Sequence, residues 1–149
     1  MKGVELLQNI IYIVTILSLI KTAYIDYKQK IIPDRLNLII VLLGIFNLIL
    51  NFKNCKIYIA SAAITFVVFL FIAIITDGGI GGGDIKLFTA LSLIFGQEML
   101  LIVAVTFSLA AIISIVKVML KRINIKDSVA LAPSICIGVF ACLIKIYIS

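Results

Sequence analysis

Residues 57–75 read IYIASAAITFVVFLFIAII, a run without one charged side chain. A helix crossing the hydrocarbon core of a bilayer needs about 20 such residues, so this stretch alone is a spanning segment. It passes through Thr76-Asp77 into Gly78-Gly79-Ile80-Gly81-Gly82-Gly83-Asp84, after which apolar sequence resumes. Working outward, five more apolar segments appear: Val4–Ile20, Leu36–Leu50, Ile85–Phe95, Met99–Leu120 and Val129–Ile148. The last two are long enough to span as they stand. The first is long enough if it continues toward Tyr24, and the second if it starts at Pro33, a residue suited to the first turn of a helix. Ile85–Phe95 is too short unless it borrows from the glycines before it. With no repeat or linker in between, the sequence predicts an all-α, polytopic membrane helix bundle of about six transmembrane helices, a single domain over residues 1–149.

Composition agrees. The chain is 64% hydrophobic, with mean hydropathy +1.30, against about 45–50% for soluble domains. A chain of 149 residues cannot hide that excess in one core, because a small globule still exposes much of its surface. The N-terminal apolar stretch has the look of a signal peptide, but no small-residue cleavage site follows it, and it is expected to stay as the first helix. The chain has no histidine and three cysteines: Cys55, Cys136 and Cys142. With no C-x-x-C pair, zinc or haem has almost nothing to bind, so no metal and no cofactor is expected.

Thirteen basic and seven acidic residues give a net charge of +6. The bases sit between apolar runs, which points to anionic lipid and topology rather than nucleic acid. If all six segments span, Lys21, Lys28, Lys30, Arg35, Lys86, Lys117, Lys121, Arg122 and Lys126 share one side, and Lys2, Lys53, Lys56 and Lys145 the other. By the positive-inside rule the richer side is cytoplasmic. This predicts an inner (cytoplasmic) membrane protein with both termini outside.

Acids at the ends of membrane segments are costly and mark function. The same topology brings Asp26, in Tyr24-Ile25-Asp26-Tyr27, and Asp84 to one membrane face. Hydrolysis of a peptide without metal or side-chain nucleophile needs one carboxylate to activate water and a second, protonated, to polarise the carbonyl. Two neighbouring carboxyls share a proton in that way. Gly81, Gly82 and Gly83 leave room for an extended chain to approach. Blander readings stand beside these: Asp26 as a helix-end charge paired with Lys28 or Lys30, Asp84 as a helix cap, Asp77 as a turn residue, and Asp34 as a charge suited to a helix N-terminus. Lys86 is either a snorkelling side chain or part of the site. Asn37, Asn47, Gln97 and Glu98 read as helix-packing or interfacial groups.

Gly81-Gly82-Gly83-Asp84-Ile85-Lys86-Leu87 resembles the G-x-G-D signature of the type IV prepilin peptidases, which are intramembrane aspartyl proteases. Asp26 followed by Ile31-Ile32-Pro33 resembles that family's first motif, although Asp34 stands where the family's asparagine would be. Ala132-Pro133-Ser134 resembles the proline that recurs at the start of its last helix. The resemblance implies catalytic Asp26 and Asp84, with Gly81, Gly82, Gly83, Lys86, Ile32, Pro33 and Pro133 supporting the site. It further implies prepilin-like substrates carrying a short basic leader, a cleavage-site glycine and a following apolar helix, cut at the cytoplasmic face. It points to the short, peptidase-only form without the cysteine-bearing methyltransferase region. The expected partners are those substrates and the bilayer, with no nucleic acid, and the oligomeric state is open. The competing reading is a small proton- or cation-coupled transporter or channel subunit that uses Asp26 and Asp84; a non-catalytic membrane scaffold is a third.

Overall fold

The structure, a computed structural model, describes residues 2–120 and 130–148. Six α-helices follow one another: α1 (Lys2–Gln29), α2 (Asp34–Leu50), α3 (Cys55–Ile75), α4 (Gly82–Phe95), α5 (Met99–Met119) and α6 (Ala132–Ile148). Short 3-10 turns at Phe52–Asn54 and Gly96–Glu98 lead into α3 and α5. Among the described residues there is no strand. The basic segment that begins at Lys121, and with it Arg122 and Lys126 of the charge argument, lies outside the described residues.

The helix ends follow local chemistry. α1 runs on through the mixed stretch Lys21–Gln29 and stops only where Lys30 turns left-handed (φ 53°). Asp26 therefore lies inside the last turns of α1 rather than after it. The chain then passes extended through Ile31-Ile32-Pro33, as a residue before proline prefers, and Pro33 is the cap that precedes α2 rather than part of its first turn. α3 ends in a Schellman turn, with the Gly78 and Asp77 amides donating to the carbonyls of Ala73 (2.8 Å) and Ile74 (3.3 Å). Asp77, at φ 50°, is its left-handed residue. α4 does borrow from the glycines, starting at Gly82.

α4 is the centre of the bundle. It packs between α2 and α3, while α1 packs on α2 and α6, and α6 on α5. Leu87, Phe88, Leu91 and Ile94 of α4 are completely enclosed. Phe88 stacks on Phe69 of α3 at 4.5 Å between ring centroids, with Phe107 of α5 beyond it. The outer faces stay apolar: Leu17, Ile64, Ile112 and Phe140 all point away from the protein. Exposed apolar surface on this scale is solvated by lipid, and the protein is an all-helical membrane protein. Among the described residues three helical runs, Gly3–Gln29, Phe52–Ile75 and Gly82–Met119, are long and apolar enough to cross a bilayer. α2 and α6, at 17 residues each, are shorter, so the expected count of six spans stands only in its coarser form.

Polar side chains within the bundle face protein rather than lipid. The Ser92 and Thr65 hydroxyls bond at 2.9 Å between α4 and α3. At the end of the bundle where the N-terminus lies, Asn47 of α2 donates to the Leu93 carbonyl (2.9 Å), and its Oδ1 accepts from Gln8 and Asn51. Lys145 of α6 pairs with Glu98 at 2.8 Å at the same end.

Candidate active site

At the opposite end, the last turns of α1 and the first turns of α2, α4 and α6 converge. Asp26 is 5% exposed. Its Oδ2 accepts a 2.9 Å hydrogen bond from the Ala132 amide, the first residue of α6. That amide has no partner within its own helix, and the positive end of the helix dipole favours an anion there. Asp26 is thus neither a loop charge nor paired with Lys28, whose ammonium lies 4.6 Å over the Tyr24 ring. Pro133 follows Ala132 in the same first turn.

Asp84 is the third residue of α4 and half-buried. It is not the residue that caps the helix; Gly81 occupies that position. Among the described residues its Oδ1 is buried without a hydrogen-bond partner. A carboxylate from α1 and one from α4 therefore lie at the same end of the bundle. A carboxyl oxygen left buried and unbonded carries a desolvation cost, which an incoming donor removes.

The glycines differ in what they permit. A Cβ on Gly83 would stand 3.1 Å from the Ile32 Cβ, so the bare glycine lets the Ile31-Ile32-Pro33 segment press against the start of α4. A Cβ on Gly81 would come within 3.1 Å of Asp84 Oδ2, whereas nothing lies near one on Gly82. Lys86 turns outward and pairs with Asp34 at 2.9 Å, both side chains well exposed, so it ties the rim of α4 to α2 rather than reaching the two acids. Asp77 is exposed in its turn. Sequence reasoning placed Asn37 among the packing residues; its amide reaches the Gly83 carbonyl at 3.3 Å, in the peptide that leads into Asp84. A polar residue early in an apolar helix was the available signal.

An apolar cavity of about 450 Å³ opens between α3 and α5, lined by Ile57, Ser61, Thr65, Phe69, Gly96 and Leu100 among others. It reaches toward the end away from the carboxylates. Among the described residues no cluster of three or more His, Cys, Asp or Glu is present to hold a metal.

The model of the Type IV leader peptidase family matches residues 13–116, which include both acids. The chain belongs to the type IV leader peptidase family. Among its relatives, "Prepilin peptidase EppA" of Methanocaldococcus jannaschii is 30% identical over 95% of this chain and 43% of its own length. "Prepilin leader peptidase/N-methyltransferase" of Bacillus subtilis is 33% identical over 85% of this chain and 52% of its own length. The archaeal protein of the same EppA name from Methanococcus maripaludis is 36% identical over 59% of this chain and 24% of its own length. The chain spans about half, or less, of the length of these relatives. No solved structure matches it.

Proposed function

We propose that this family member is a membrane aspartyl endopeptidase that removes the leader from type IV prepilin-like precursors, with Asp26 and Asp84 as its catalytic pair. The placement of these two carboxylates, from α1 and α4, at one end of the bundle carries the reading. One carboxylate takes a proton from the attacking water while the other, protonated, polarises the scissile carbonyl and then protonates the leaving amine. Gly81–Gly83 leave the space in which an extended peptide lies beside Asp84. The site end faces the cytoplasm of an inner membrane, where a basic leader stays while the apolar helix behind it remains in lipid. Exposed Asp77 at that end is an acid available to such a leader. Family membership and the names of the relatives support this reading over a proton- or cation-coupled transporter.

The experiment is co-expression with a prepilin from the same genome. A product shortened by its leader is expected. An unprocessed precursor in the presence of folded, membrane-inserted protein would overturn the proposal.

A further inference from the structure

α2 carries two buried asparagines, Asn37 and Asn47, and both grip α4. Asn47 donates to the carbonyls of Leu93 and Ile94 at the C-terminal end of α4, and its own oxygen is satisfied by Gln8 and Asn51. This is how a structural amide behaves in an apolar bundle: every polar atom finds a partner. Asn37 does the corresponding thing at the N-terminal end, donating to the Gly83 carbonyl at 3.3 Å. Here the pattern breaks. Asn37 is 4% exposed, yet its Oδ1 is buried with no partner among the described residues. The next residue after the gripped peptide is Asp84, whose Oδ1 is likewise buried and unbonded.

We propose that Asn37 is a positioning residue: by holding the Gly83 carbonyl it fixes the Gly83–Asp84 peptide, and with it the direction in which Asp84 meets Asp26. The Gly83 backbone is held from two sides, by Ile32 packed against its α-carbon and by the Asn37 amide. Without the amide, the first turn of α4 keeps its helical bonds but loses its tie to α2 at the point where the carboxylate departs. A shift of about 1 Å at a catalytic group is enough to cost about a hundredfold in rate. The spare acceptor on Asn37 is the mark of a side chain kept for this contact and not for its own satisfaction. The inference rests on the peptidase reading for its consequence in turnover, but not for the geometry itself.

Asn47 supplies the control. Asn37→Leu and Asn47→Leu are compared in purified protein for three quantities: melting temperature, kcat and KM on a prepilin, and the rate at which a carbodiimide modifies Asp84, read by mass spectrometry. Asn37→Leu is expected to lose about a hundredfold in kcat with KM little changed, and to alter the Asp84 modification rate. Asn47→Leu is expected to melt lower while keeping wild-type kcat per folded molecule and wild-type Asp84 modification. Asn37→Leu with wild-type kcat and wild-type Asp84 reactivity overturns the inference, as does an equal loss of kcat in Asn47→Leu. If wild-type protein fails to cut any prepilin while Asp84 reactivity still responds to Asn37→Leu alone, the peptidase reading falls and the positioning contact stands.

Discussion

The three glycines before Asp84 look interchangeable in the sequence and are not in the structure. Gly82 faces open space, whereas Gly83 sits where a methyl group would come within 3.1 Å of Ile32. Gly83→Ala is therefore expected to lower processing by about tenfold through displacement of Ile32 and Asp84; initial rates on one prepilin check it. The same scale decides the inhibitor profile. Catalysis by two carboxylates needs no metal, so a chelator is expected to leave the rate unchanged, and inhibition reversed by added zinc would point to different chemistry. The acids were legible because charges at the ends of membrane segments are rare enough to be noticed. Asn37 was not separated from Asn47 because the two have the same chemistry and the same helix. Only the partners of each oxygen tell them apart.

At the scale of elements, apolar runs gave the helices nearly to their ends, since a backbone in lipid has to satisfy its own hydrogen bonds. They failed where helices leave the apolar zone. α1 continues through Lys21–Gln29 because helix formation there does not depend on apolarity, so Asp26 is held by a helix and not by a loop. The fourth segment is too short in the sequence to span by itself, and the helix built on it takes in Gly82 and Gly83. Enclosed by α2 and α3, α4 is buried by protein and need not match the bilayer by itself. Its exit depends on Gly96, at φ 54° and ψ −121°, a conformation essentially reserved for glycine, with the Tyr58 ring 2.9 Å from where a Cβ would be. Gly96→Ala is expected to destabilise the bundle by about 1–3 kcal/mol, seen as a lower melting temperature in detergent. Adding Tyr58→Ala should recover only the steric part, and an unchanged melting temperature in Gly96→Ala would contradict this account of the turn.

For the whole molecule, the bundle has one polar end built around Asp26 and Asp84 and another around Gln8, Asn47 and Asn51. The positive-inside rule predicts that the first end faces the cytoplasm. In a variant lacking Cys55, Cys136 and Cys142, single cysteines at Lys28 and Gly79 are expected to be shielded from an impermeant thiol reagent added outside, and one at Asn54 to react. Labelling of Lys28 and Gly79 from opposite sides would separate the two acids and end the model. The central claim is that this pair performs the cleavage, and the direct measurement is processing of a prepilin by purified wild-type, Asp26→Asn and Asp84→Asn proteins, followed by mass spectrometry of the products. The wild type is expected to release the leader, while each variant, folded by its melting curve, loses cleavage by at least about a thousandfold because neither carboxylate does both jobs. Substantial cleavage by either folded variant would contradict the account.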